Sequence, residues 1–590
     1  MFQRIRPPGG NQSNQRGQAP WILRALYGAT SFGLLADPAG LAHAGGYPGG
    51  RLDDHGPSST MAQATQGDPH HMVQLRGPIA TQGRHEHAVQ ALQASSLVLS
   101  GAVTTSGDDA YAVYYSGAAR VIMTDVDIAT KGARAHAVQG FRGQGADLPG
   151  WAASRQGDLE LRRGKVTLQG PDSIGMDVTA TTARLGRPLR ETGDAVLWSM
   201  GYTHRASADE PDVRIEGHGE RNTGIAIQGH RRLELNGVGI VLPEAGAVGI
   251  SVGPTTRVDG KNIGITASGA GSFGLRVRGD PARREDTGHC PVPTTVNLAN
   301  GYIAMTGRDA PAVDLVRARV SLEDFHITTS TDARFAVGNE SGRFRLEGKQ
   351  ARAVIRGVGS ALAAWTGNDR EAAVYDFRNV SIHSGSGSLL EVGRDSGDAG
   401  RALPAHVELT LVNSNAQGRI WGGNPGAPRV DVRLADGSSW QGQTDLGRTI
   451  TVETASTWKV DGDSKVEDVV LDRGTIAFQS HAAVDEHSRN LATEQSRFDA
   501  RQQRSDSPSP SPAPTPQSEF RRLHVLRDVR GTGTLQMRVD VARRAADQVL
   551  IDGSAHGDIA VEVRDTGATT DLLTSIDVIH AARGGPANFT

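Results

Sequence analysis

The chain has 590 residues, a formal net charge of -3, 74 glycines and only 5% aromatic residues. That length exceeds one compact core, and so few large side chains suit an elongated repeat with a thin aliphatic interior better than a globular enzyme. The near-neutral charge argues against nucleic acid as a partner, and the preference for arginine over lysine is read as base composition of the gene.

At the N-terminus, Arg4, Arg6 and Arg16 precede a mainly apolar run from Trp21 to Ala36 and the small-x-small triplet Ala42-His43-Ala44. Residues 1–44 therefore read as an extended secretory signal, and no later stretch reaches the roughly 20 apolar residues of a membrane helix. Residues 45–95 are polar and are expected to form a leader or N-terminal cap. Cys290 is the single cysteine, so internal disulfides are excluded and the residue is read as a loop bystander.

Within residues 96–478, expected to be the β-helical passenger, one skeleton recurs between Val121 and Ile382, with apolar residues at relative positions 1, 3, 6 and 8. It reads Val121, Met123, Val126, Ile128; Leu233, Leu235, Val238, Ile240; Val320, Leu322, Phe325, Ile327; and Tyr375, Phe377, Val380, Ile382. Glycine replaces one member in Leu159, Leu161, Gly164, Val166 and in Val258, Gly260, Ile263, Ile265. A step of two keeps both side chains on one face of a strand, and the step of three between the pairs marks a corner. Upstream of each skeleton stands a small residue with an apolar-x-apolar triplet, as in Gly224, Ile225, Ile227 and Gly249, Ile250, Val252 and Gly274, Leu275, Val277. Three short strands per unit make a three-sided coil that cannot bury its apolar face alone, so coils must stack. The expected fold is all-β, a right-handed parallel β-helix. Insertions near 142–156, 187–211 and 281–293 break the period and are expected to be surface loops, where binding residues concentrate.

Residues 479–519 are polar and end in the Pro/Ser alternation Ser507 to Pro516, which cannot enter a ladder. Strand-like sequence resumes at 520–590 and is expected to close the rod. Here specific motifs appear: Leu434-Ala-Asp-Gly-Ser-Ser-Trp440, Thr454-Ala-Ser-Thr-Trp458-Lys-Val460, Val470-Leu-Asp-Arg-Gly-Thr-Ile476-Ala-Phe478, Gly531-Thr-Gly-Thr-Leu535, Asp547-Gln-Val549-Leu-Ile551 and Pro586-Ala-Asn-Phe589-Thr590. Residues 429–590 resemble the closing coils and autochaperone-like block of pertactin-type autotransporter passengers. The resemblance implies a β-helical virulence factor that is secreted or held at the bacterial surface, exported through its own translocator β-barrel, which is absent from this chain. Within that family the elongated signal, the passenger size and the Arg-rich, Lys-poor rod are most like the virulence-associated passenger that captures host C1 esterase inhibitor. That likeness implies a serpin partner, complement evasion and a monomeric, non-enzymatic binder with no cofactor. Trp440 and Trp458 are read as packing residues.

Among residues with chemistry of their own, Arg278-Gly279-Asp280 is the short motif with a functional meaning, since integrin recognition needs an arginine and a carboxylate splayed from a tight turn. It is the basis of an alternative reading as an adhesin. Asp125 and Asp127, one pleat apart, are read as facing the same way, as the paired carboxylates of a polysaccharide-acting β-helix enzyme would. Neighbouring coils offer mostly Thr, Ser and Asn there, so a solvated polar face is expected and no catalytic residue is assigned. His70 and His71 with Asp68, and His85 with His87, lack further ligands at closing distance, so no metal site is expected.

Overall fold

The computed structural model describes residues 72–91, 95–116, 119–141, 158–178, 182–186, 211–228, 232–279, 293–330, 333–365, 372–393, 406–422, 429–479, 520–567 and 575–590, together with the short strands Ala42–His43 and Ala62–Ala64. The chain divides into two units, Met1–Gly40 and Leu41–Thr590. The signal region, the three insertions, Cys290, His70, His71 and the Pro/Ser stretch fall largely or wholly outside the described residues.

The second unit is a right-handed parallel β-helix. One face is a 14-stranded parallel sheet running from Ala42–His43 to Arg419–Gly422. The other two faces are joined because single strands such as Arg120–Thr130, Arg232–Leu242 and Arg257–Ala267 turn the corner between them without losing their hydrogen bonds. Register follows the skeleton: Leu233 pairs with Val258 and Val258 with Val296, and Ile240 pairs with Ile265 and Ile265 with Ile303. On the sheet of 14 strands Ile225 stacks on Ile250 and Ile250 on Leu275. All three are fully buried.

The corner inside each skeleton has a chemical cause. Asp125, Asn262, Asn300, Asp324 and Asn379 sit there with φ of 55°, 57°, 52°, 50° and 54°, the left-handed region that Asn and Asp tolerate best among residues with a side chain. These side chains also bind neighbouring coils: Asn262 Nδ2 donates to Asn236 Oδ1 of the coil before at 3.0 Å, and Asp324 Oδ1 accepts the Lys349 amide of the coil after at 2.7 Å. This corner changes the reading of the two aspartates. Asp125 is the corner residue itself and takes an ion pair from Arg163, whereas Asp127 lies on the strand beyond. The corner breaks the pleat, so they do not form an aligned pair.

A second corner is a column of glycines. A Cβ on Gly107, Gly132, Gly170 or Gly219 would collide with the carbonyl oxygen of the glycine one coil earlier, Gly83, Gly107, Gly132 or Gly170 respectively. Further along, buried hydroxyls complete the backbone: Ser414 Oγ accepts the Val380 amide at 3.0 Å, Ser438 Oγ that of Ser414 at 3.1 Å and Ser456 Oγ that of Ser438 at 3.2 Å. Such bonds satisfy the amides of Val380, Ser414 and Ser438 at the corners between strands.

The ladder begins earlier than the polar composition of 45–95 suggests. Met72–Arg76 pairs in parallel with Ser96–Ser100, and Val89–Ala91 with Val113–Tyr115. Alternation survives in Val73/Leu75 and Val89/Ala91, and parallel pairing needs no more than that. At the other end, Ser464–Phe478 stacks directly on Arg522–Val525 and Val529–Asp540 across the intervening 480–519. The closing block holds the antiparallel pair Val539–Ala546, pinned by Arg538, which donates to Asp547 at 2.9 Å through both Nε and Nη2. Asp547 is fully buried and also accepts the Arg521 amide at 2.8 Å.

Trp440 and Trp458 stack inside the rod with centroids 5.1 Å apart and planes 1° from parallel. Each indole donates to a carbonyl of a glycine, Gly418 at 2.9 Å and Gly442 at 3.0 Å. Both are packing residues, as the sequence implies.

Two substitutions probe this interior. Ile250→Asp places an unpaired charge in the Ile225–Ile250–Leu275 column and is expected to cost about 3–5 kcal/mol, read by denaturant unfolding; wild-type stability would refute the register. Trp440→Ala is expected to cost about 3–5 kcal/mol, read by denaturant unfolding, and to change the near-ultraviolet circular dichroism of the stacked indoles; an unchanged spectrum would refute the stack.

Candidate binding surface

Because outward positions stack as strictly as inward ones, each face of the rod carries its own chemistry. Across the first half of each skeleton, acids and bases alternate into a network. Arg232 meets Glu234 at 3.1 Å and Asp259 at 3.4 Å, and Arg257 meets Asp259 at 2.7 Å. Burial alone would raise the Asp259 carboxyl, but bonds from Arg257 and Asn297 outweigh it and hold the group below the usual range. Across the second half the column Ser381, Asn415, Ser439, Thr457, Thr475, Thr534 presents hydroxyls and amides without carboxylates. Pairs of exposed ions saturate one another and contribute little to binding or stability.

The 14-stranded sheet differs, because large side chains stand on its outer surface. At its N-terminal end the rings of His87, Tyr111 and His136 pile along the rod, with centroid separations of 4.6 and 5.2 Å and planes within 7° and 11°. Tyr114 joins at 5.0 Å from His87. The spacing is the strand spacing, so equivalent positions of successive coils supply the stack. His87 Nδ1 accepts the Tyr111 amide at 3.3 Å and His136 Nδ1 the Ile174 amide at 3.1 Å, which requires both imidazoles to be neutral. Burial, then the charge of His85, lowers His87 from 6.5 to about 4; burial likewise lowers His136 against the opposing pull of Asp177 and Asp109. Neither His85 nor His87 meets a metal-binding partner set among the described residues.

The middle of the same sheet carries Phe273, Arg276, Arg278, Asp314, Phe335 and Trp365. Arg276 lies over the Phe273 ring at 4.7 Å. Arg276 and Arg278 converge on Asp314, whose side chain is 7% exposed; the Arg276 contact is 4.0 Å, and Arg278 makes the closer bond. Phe335 and Trp365 meet at 5.0 Å with planes tilted by 58°. Further along, Trp421 donates to Ser388 Oγ at 2.7 Å beneath Arg419.

Of the tripeptide 278–280, Arg278 ends the strand Phe273–Arg278 and is turned to Asp314, and the Gly279 amide donates to Val316 O at 2.7 Å within the ladder. Asp280 lies outside the described residues. The aromatic positions were not anticipated from the sequence. The signal that finds them is the residue before the small member of each triplet: His87 before Ala88, Tyr111 before Ala112, His136 before Ala137, Phe273 before Gly274 and Phe335 before Ala336.

The neutral imidazoles make the N-terminal coils acid-sensitive. The unfolded chain binds protons that folded His87 and His136 refuse, so stability is full above pH 6.5 and falls as pH drops toward about 4. The protection factor of the Tyr111 amide against hydrogen exchange should fall through that window, with a weaker pH dependence in His87→Asn; a pH-independent protection factor in the wild type would contradict the neutral-acceptor geometry.

Residues 507–590 match the pertactin family. The chain is 22% identical to the BrkA autotransporter of Bordetella pertussis over 466 residues, 76% of this chain and 39% of that protein. It is 25% identical to Autotransporter CRAC of Citrobacter rodentium over 270 residues, 44% of this chain and 14% of that one. It is also 25% identical to the Adhesion and penetration protein autotransporter of Haemophilus influenzae over 152 residues, 25% of this chain and 10% of that one. The chain thus spans under two fifths of the length of these relatives. No helix among the described residues is long and apolar enough to cross a membrane. With residues 507–590 matched to the pertactin family and the upstream coils continuing the same parallel ladder, the chain is built like a pertactin-type autotransporter passenger, the kind of β-helix that is secreted or displayed at the bacterial surface.

Proposed function

We propose that the passenger acts by binding a host protein, without catalysis of its own, and that this protein is C1 esterase inhibitor. Its capture would deplete the host of a complement regulator and serve complement evasion. The observation that carries binding is the outer surface of the 14-stranded sheet, where arginines and aromatic rings stand half-exposed on rigid strands. Tryptophan, tyrosine and arginine dominate the energetics of protein interfaces, and strands that need no ordering spare the entropy of docking. The identity of the serpin rests on the likeness to the serpin-capturing passenger.

The passenger immobilised in human serum is expected to retain C1 esterase inhibitor, identified by mass spectrometry and confirmed with the purified serpin. Failure of the purified serpin to bind would refute the assignment. A second reading, adhesion through Arg278-Gly279-Asp280, draws on the half-exposed Arg278 and on the name of the Haemophilus influenzae relative. It is supported instead if cells attach to the passenger and Asp280→Glu abolishes attachment. Turnover of an acidic glycan would replace both readings with an enzymatic one.

A further inference from the structure

We propose that the stacked imidazoles of His87 and His136 are an acid switch for the first coils of the rod, residues 72–141, which open at a pH where the coils from 211 onward stay closed. The switch is independent of any partner, since it concerns how the rod holds itself together.

The direction of each imidazole's bond makes it titratable. His87 Nδ1 accepts the amide of Tyr111 and His136 Nδ1 that of Ile174, and in both cases the amide belongs to the coil that follows. A neutral ring that accepts at Nδ1 carries its proton at Nε2. Protonation puts a second N–H at Nδ1, so two donors face one another and the tie across the coil boundary is lost. Tyr111 stands between the rings, with centroids 4.6 and 5.2 Å away, so neither imidazole can turn aside without breaking the stack.

The surroundings do not rescue the charged rings. Facing His87 among the described residues are His85, Tyr111 and Tyr114, while the neighbouring Glu86 is turned back onto the Gly83 amide at 2.8 Å. Burial raises both tyrosines above their ordinary value, so neither adds a negative charge. His136 feels Asp109 and Asp177, but Asp109 is held by Arg134 at 2.6 and 2.9 Å and Asp177 accepts from Gln139 at 2.9 Å, and burial outweighs both.

Farther along, coil boundaries are tied by groups that do not titrate between pH 4 and pH 8. Ser173 Oγ accepts the Ala135 amide at 3.1 Å beside the His136 bond, so loosening spreads inward only to that boundary. Beyond it Asn222 Oδ1 accepts the Ser173 amide at 2.9 Å, Ser272 Oγ the Ala247 amide at 3.1 Å and Thr294 Oγ1 the Thr255 amide at 2.9 Å. Hydroxyls and amide oxygens accept equally well at pH 5 and pH 7.5.

The test is hydrogen–deuterium exchange of the intact chain at pH 7.5 and pH 5, read by mass spectrometry and corrected for intrinsic exchange rates. With His87 lowered from 6.5 to about 4, that ring alone multiplies the ratio of open to closed first coils by about 30 at pH 5. Protection in peptides from 72–141 is therefore expected to fall about 30-fold or more, and in peptides from 211–279 and 429–479 by less than about threefold. His87→Asn combined with His136→Asn keeps an acceptor oxygen in reach without a titrating group, so its first coils should be protected almost equally at the two pH values. If the double variant shows no protected first coils at pH 7.5, His87→Asn alone decides, with a pH-dependent loss about 30-fold smaller than in the wild type. Loss of protection spread evenly along the rod, no loss in 72–141, or a loss as large in the variants as in the wild type would overturn the proposal.

Discussion

A strand in this molecule satisfies its backbone only through the coils above and below it, so every coil must place its residues at the same height as its neighbours. That single requirement explains the columns. Leu233, Val258 and Val296 share a height because the N–H and C=O groups between them do. It also explains why glycine recurs at one corner, where successive turns approach so closely that a Cβ has no room. Where strands end, hydroxyls such as Ser414 and Ser438 take over the acceptor role for the amides of the coil before.

The same constraint governs the outside. A side chain that points away from the core has its equivalents 4.8 Å away by approximate strand spacing, so any chemistry placed outward tends to become a stripe. Three stripes result: an ion-paired network, a neutral hydroxyl and amide column, and a sheet bearing rings and arginines. The first is self-saturating. The second is uniform. The third combines half-exposed arginines with aromatic area, and it is there that recognition is best supported by the geometry.

Much of the fold was legible in the sequence because the inward positions are strictly spaced. The skeleton Val121, Met123, Val126, Ile128 and its successors are buried as the spacing requires, and Trp440 and Trp458 lie inside the rod. The corner was legible as a step of three, but not its left-handed backbone. That is why Asp125 and Asp127 read as a pair although Asp125 occupies the turn. The first coils were hidden because their alternation covers only a few residues, Val73 with Leu75 and Val89 with Ala91. The aromatic surface was harder still. Outward residues obey no apolar rule, and only the stacking register reveals that Tyr111 and His136, 25 positions apart in the chain, meet face to face.

The corner-turning strands Arg232–Leu242 and Arg257–Ala267 pair residue for residue over nearly their whole length. Their equivalence makes the coil an interchangeable module. Gain or loss of one complete winding by duplication or deletion would lengthen or shorten the rod while leaving each lateral stripe continuous. Reach from the cell and the chemistry of the sides can therefore evolve independently of one another.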